Sequence, residues 1–123
     1  MSELRVLVVD DNADNADSLA AMIRQWGHLA RAVYTGSFSL KIAVDFLPQM
    51  FLLDLAMPHM DGCNLARQLR QRPEFARARI VAMSGYGDDA HQKLAADAGF
   101  DAFLVKPVEP DALQALVNAL RRD

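Results

Sequence analysis

Short apolar runs alternate along this chain with apolar stripes of helical period. Leu4 to Val9, Met50 to Leu53, Ile80 to Met83 and Ala102 to Val105 have the length and composition of buried strands, and a weaker run covers about Leu29 to Tyr34. Leu19, Met22, Ile23 and Trp26 recur at i, i+3, i+4 and i+7, which predicts a helix ended by Gly27. Gly36 opens a second helix with Phe38, Ile42, Ala43 and Phe46 inward, closed before Pro48. Pro58 and Gly62 predict a loop after the third strand, and Leu65 and Leu69 mark a helix that stops before Pro73. Gly85 and Gly87 lead into a helix carrying Leu94, Ala95 and Ala98, ended by Gly99. Leu113, Leu116, Val117 and Leu120 define the last one.

The count is five strand–helix units with no linker or repeat left over. Such alternation predicts an α/β fold, a (βα)5 flavodoxin-like three-layer sandwich forming one domain over residues 1–123. Met50 to Leu53 is apolar throughout, as a central strand covered on both faces must be. Short connections and right-handed crossovers favour a parallel sheet of order 2-1-3-4-5, with the first and third strands adjacent at the switch point.

Polar residues follow four of these runs abruptly. The first is followed by Asp10 and Asp11, the third by Asp54, the fourth by Ser84 and the fifth by Lys106 and Pro107. In a parallel sheet these ends share one edge, where open α/β sheets bind ligands. Three carboxylates ~5 Å apart would repel by about 3 kcal/mol per pair at an effective dielectric near 20, so the cluster needs a cation. An all-oxygen, partly open site suits Mg²⁺, and Lys106 adds a second positive charge. Asp54, set between apolar residues, reads as the most buried of the three. A carboxylate kept ionised there can attack phosphorus in line, while Ser84 offers a hydroxyl to a phosphoryl oxygen.

Composition narrows the function further. At 52% hydrophobic and 24% charged, the chain is ordinary for a globular protein. A net charge of −3 argues against nucleic acid as a direct partner. Arg67, Arg70, Arg72, Arg77 and Arg79 do cluster, but without aromatics for stacking they read as a solvated helix face and loop. No apolar run approaches the roughly 20 residues of a membrane helix. Cys63 is the sole cysteine and reads as a small packed hydrophobe. With no signal-peptide pattern before the first strand, a reducing cytoplasm is the expected location.

The phrases Val-Val-Asp-Asp-Asn, Leu-Leu-Asp-Leu-Ala-Met-Pro-His-Met-Asp-Gly, Met-Ser-Gly-Tyr-Gly and Phe-Leu-Val-Lys-Pro resemble the receiver domain of two-component response regulators. The resemblance runs from about Leu4 to Leu120 and is nearest to receivers associated with hybrid histidine kinases. It implies a phosphorylatable module of a phosphorelay, not a turnover enzyme, that catalyses only its own phosphorylation and dephosphorylation. Asp54 matches the phosphoacceptor. Asp10 and Asp11 match the acidic pair that holds Mg²⁺, with Asp11 the direct ligand and Asp54 and the Ala56 carbonyl completing the protein's share. Ser84 matches the switch hydroxyl, Lys106 the phosphate-pairing lysine and Phe103 the aromatic rotamer switch. Pro107 matches a proline preceded by a cis bond. The implied partners are a histidine kinase or histidine phosphotransfer protein. A homodimer or output domain would meet the face of the fourth helix, fifth strand and fifth helix.

Some positions depart from common receiver wording. Gln49-Met50 stands where Pro-Asp is frequent, and the second helix opens with an unusual Gly36-Ser37-Phe38-Ser39-Leu40. Ala56 and Tyr86 occupy the two positions that the resemblance assigns to phosphoryl lifetime. Ala56 cannot orient a water and Tyr86 can shield phosphorus, which implies slow self-dephosphorylation. Ala56 also argues against a phosphatase of the haloacid-dehalogenase type, which needs a second Asp two residues after the nucleophile. Flavin binding lacks an aromatic-flanked phosphate loop after the first strand.

Overall fold

The computed structural model describes residues 3–57 and 61–120. Five strands, β1 (Arg5–Val9), β2 (Leu29–Val33), β3 (Met50–Asp54), β4 (Arg79–Ser84) and β5 (Ala102–Val105), form one parallel sheet of order β2-β1-β3-β4-β5. Five helices complete it: α1 (Ala13–Gln25), α2 (Gly36–Phe46), α3 (Gly62–Arg70), α4 (Asp89–Asp97) and α5 (Pro110–Leu120). The flavodoxin-like order expected from the alternation is the one observed. Among the described residues no helix is long and apolar enough to cross a membrane.

Two apolar layers hold the sheet between the helices. One gathers Val6, Val8, Leu52, Val81 and Met83 with Leu19 and Ile23 of α1 and Leu113 and Val117 of α5. The other gathers Leu7, Val9, Phe51, Leu53 and Ile80 with Ala43, Leu65, Leu69 and Ala95 of the remaining helices. Alternate residues of each central strand face opposite layers, so β3 is buried along its whole length. Each large side chain buried this way contributes roughly 1.5–3 kcal/mol. Gly27 and Gly99 end α1 and α4 with φ of +94° and +101°, a conformation that favours glycine.

Several expectations need correction. Phe38, expected inward on α2, is 54% exposed. At 100° per residue it lies roughly 130° round the helix from the mean direction of buried Gly36, Ser39 and Ala43, and Ser39 Oγ bonds the Gly36 carbonyl instead. Leu94 of α4 is likewise exposed beside buried Ala95. Gly62 belongs to α3 and not to the preceding loop. Asp61 caps that helix through the Cys63 N–H at 2.8 Å. A Cβ on Gly62 would press into the Asp54 carbonyl and come within 2.8 Å of Leu55 Cα, so glycine lets α3 close against the end of β3. Pro58 lies outside the described residues.

The sequence pattern also carries no sign of a 3-10 turn at Pro73–Phe75, which buries Phe75 edge-on against Phe51 at 5.4 Å between ring centroids. Arg70, grouped above with solvated arginines, is a clamp. Its Nε donates to the Gly99 carbonyl at 3.0 Å and its Nη1 to the Ala78 carbonyl at 2.7 Å, while Nη2 pairs with Asp101 at 2.6 Å. Cys63 is half-buried against the core, and burial pushes its thiol pKa up, away from reactivity.

Candidate phosphoacceptor and metal site

The sheet register brings the strand ends together. Val9 pairs with Leu53, Asp54 with Met83 and Ser84 with Val105, so Asp10, Asp54, Ser84 and Lys106 emerge along one edge. Backbone bonds extend that order past the strands: Asp10 N–H donates to Val33 O, Leu55 N–H to Met83 O and Lys106 N–H to Ser84 O, the last at 2.7 Å. The Lys106–Pro107 bond is cis, as the receiver-domain resemblance implied.

Carboxylate oxygens of Asp10, Asp11 and Asp54 all lie within 4.8 Å of one another, close to the spacing assumed for the charge argument. Asp11 is exposed, whereas Asp10 is 0% and Asp54 4% exposed. The expectation that Asp54 would be the most buried is therefore wrong; Asp10 is. Its burial is tolerated because donors surround it. Oδ1 accepts the Asn12 N–H at 3.0 Å, and Oδ2 accepts Asn15 Nδ2 at 2.6 Å. Asn12 and Asn15 stand at the start of α1, where Asn12 also caps the helix by accepting the Asn15 N–H at 3.0 Å. Neither asparagine was assigned a role from the sequence; the signal was the Asx pattern that precedes the helical stripe.

Lys106 Nζ spans the gap, 3.2 Å from Asp10 Oδ2 and 3.2 Å from Asp54 Oδ2. Asp54 Oδ1 accepts the Ala56 N–H at 3.2 Å. Burial, reinforced by the Asp10 charge, pushes the Asp54 pKa up to about 6 against the pull of the Ala56 N–H and Lys106. Burial would lift Asp10 too, but the bonds from Asn12, Asn15 and Lys106 outweigh it and hold that carboxyl below its ordinary value. Burial would lower Lys106, yet its two carboxylate partners raise it. Two anions and one firmly protonated cation leave a negative surplus, to which exposed Asp11 adds. Hard oxygen donors with surplus negative charge fit a small divalent cation.

Ser84 is buried, and its Oγ accepts the Tyr86 N–H at 3.0 Å. Tyr86 is 67% exposed, its ring stacked on His91 with centroids 5.0 Å apart, and His91 pairs with Asp88. Phe103 pairs with Ala82 across the sheet and packs, partly buried, on the layer that holds α2, α3 and α4.

A model of the response regulator receiver domain matches residues 6–118. The chain belongs to that family. It is 33% identical to the DNA-binding response regulator MtrA of Mycobacterium tuberculosis over 97% of its own length and 51% of that protein. An uncharacterized 14.6 kDa protein of Leptolyngbya boryana is 31% identical over 96% of this chain and 90% of that one. The chain thus spans about half the length of its mycobacterial relatives. In structure it is similar to the receiver domain of a Pseudomonas aeruginosa sensor histidine kinase, crystallised with magnesium in its active-site cleft. That match has a TM-score of 0.86 and 24% identity, covering 97% of this chain and 98% of the other. The receiver is a signalling domain of two-component systems, and its sheet order is the one seen here.

Proposed function

We propose that Asp54 accepts a phosphoryl group from the phosphohistidine of a histidine kinase or histidine phosphotransfer protein, with Mg²⁺ as cofactor. The observation that carries this reading is Lys106 Nζ bridging two buried carboxylates at 3.2 Å in a cluster with a third. Asp10, Asp11, Asp54 and the Ala56 carbonyl would hold the ion. When bound, it offsets the negative charge shared by the carboxylates and the incoming phosphoryl oxygens.

In the step itself, a carboxylate oxygen of Asp54 attacks phosphorus in line and a C–O–P linkage forms. The P–N bond of the donor breaks, and its electron pair returns to the imidazole nitrogen. Even raised to about 6, the Asp54 pKa leaves this oxygen unprotonated at neutral pH, and the cation would extend that ionised range to lower pH. Lys106 then pairs with a phosphoryl oxygen, and the Ser84 hydroxyl donates to another. Loss of the Ser84 hydroxyl's earlier orientation and a rotamer change at Phe103 bias a two-state equilibrium. Its readout is the face of α4, β5 and α5, where exposed Leu94 and Val105 suit a homodimer or an output domain. The net charge of −3 supports a protein partner there over direct nucleic-acid contact.

The test is labelling by a cognate donor. Asp54→Asn should abolish the alkali- and hydroxylamine-labile label on this chain while circular dichroism stays that of the folded protein. Undiminished labelling in that variant rules out Asp54 as acceptor.

A further inference from the structure

Asp10 carries the most enclosed charge of the site, and its two oxygens have separate partners. Oδ1 is occupied by the Asn12 N–H. Oδ2 has two donors, Asn15 Nδ2 at 2.6 Å and Lys106 Nζ at 3.2 Å. Asn15 is held for this contact by its own backbone, whose N–H bonds Asn12 Oδ1 in the cap of α1. The amide therefore reaches Asp10 from the first turn of a helix and not from a free loop.

Lys106 stands at the same distance from Asp54 Oδ2 as from Asp10 Oδ2. A phosphoryl group on Asp54 brings new anionic oxygens, and an ammonium turning towards them loosens its hold on Asp10. Asp10 is 0% exposed, so water does not replace the departing donor. Without Asn15, Oδ2 would lose its last hydrogen-bond donor and be left with only its share of the bound cation, and that penalty would oppose the turn. The Asn15 amide is the partner that stays.

We propose that Asn15 is a positioning residue that keeps Asp10 Oδ2 satisfied while Lys106 passes from Asp10 to a phosphoryl group on Asp54. The inference rests on the phosphoacceptor reading of Asp54 and adds to it a residue of α1 that acts only through Asp10. It also separates two binding events. Mg²⁺ alone brings no anionic oxygens to draw Lys106 from between the carboxylates, whereas a phosphoryl group would.

The experiment titrates the full chain by NMR, first with Mg²⁺ alone and then with beryllofluoride, a phosphoryl mimic, at saturating Mg²⁺. Asn15→Leu keeps the side chain's approximate size and a good helix former while removing the donor. The expected result is beryllofluoride affinity at saturating Mg²⁺ about tenfold weaker, a loss clearly larger than any loss of Mg²⁺ affinity, because only the phosphoryl mimic draws Lys106 away from Asp10. Beryllofluoride affinity within about twofold of wild type, or a parallel loss of both affinities, would overturn the assignment. If Asn15→Leu fails to fold, Asn15→Ala is read by the same two titrations. Wild-type protein is the control for the underlying reading. If it binds Mg²⁺ but no beryllofluoride, the phosphoacceptor reading falls and this inference with it; if it binds both, only the role of Asn15 is at issue.

Discussion

Asp10 and Asp54 share the Lys106 ammonium at equal distances of 3.2 Å, yet they hold protons in opposite ways. Asp10, ringed by donors, is held below its ordinary pKa, while Asp54, with fewer donors and Asp10's charge nearby, is pushed up to about 6. The pair divides labour. One carboxylate holds its charge more readily than an ordinary aspartate, and the other is charged only at a cost that a cation can relieve.

That asymmetry predicts how stability varies with pH. Asp54 titrates near 3.8 when unfolded and near 6 when folded, so the folded state binds its proton more tightly. Its contribution is fully present below about pH 4 and is lost as pH rises through about 6. Asp10 behaves oppositely, adding stability that is lost as pH falls. Asp54→Asn isolates the first effect. In Mg²⁺-free buffer at pH 7.5 it should be more stable than wild type by at most about 3 kcal/mol, from 1.36 kcal/mol per pH unit. The gain should shrink towards zero by about pH 4. Urea unfolding at three pH values checks this, and a difference independent of pH contradicts it.

Lys106→Ala should separate two roles of the same ammonium. Removing one partner of a buried charge cluster leaves Asp10 and Asp54 facing each other, which costs roughly 2–4 kcal/mol without Mg²⁺. Saturating Mg²⁺ should restore part of that stability. Asp54 should still accept a phosphoryl group, because the nucleophile is untouched, but amide shifts along α4, β5 and α5 should no longer respond. A normal conformational response in the labelled variant would count against the role given to Lys106.

The strand ends were legible because each needs only two signals, an apolar run and an abrupt polar residue after it. Burial at those ends was not legible. Asp10 is followed by polar Asp11 and Asn12, so Asp54 reads as the more buried, but the cap of α1 folds its donors back over the Asp10 carboxylate. Phe38 misled for a related reason. Its hydrophobicity suggested an inward position, while the helix phase set by Gly36, Ser39 and Ala43 turned it to solvent. The shape of β3's end, and so the need for Gly62, depends on how closely α3 approaches, which periodicity cannot report.

Gly62→Ala tests that approach. The added methyl would meet the Asp54 carbonyl and Leu55 Cα, backbone atoms that cannot swing aside as a flexible side chain does. Overpacking of this kind costs about 1–3 kcal/mol, and here the displaced backbone also carries the phosphoacceptor. Thermal melts should record the loss of stability. Beryllofluoride titration should record weaker binding, whereas an unchanged affinity would mean that α3 shifts without disturbing Asp54.

The lifetime of the phosphorylated form follows from what stands beside Asp54. Hydrolysis needs a water held in line with the C–O–P linkage by a polar side chain. Ala56, whose N–H already bonds Asp54 Oδ1, offers only a methyl group. Among the described residues none positions the Tyr86 hydroxyl, since its ring rests on His91 and its N–H on Ser84. The purified, labelled protein should therefore lose its acyl phosphate over minutes or longer. Ala56→Gln, which supplies a side chain able to hold the attacking water, should shorten that lifetime several-fold without changing Mg²⁺ affinity. Decay within seconds in the wild-type protein, measured in the absence of any phosphatase, would refute the argument from Ala56.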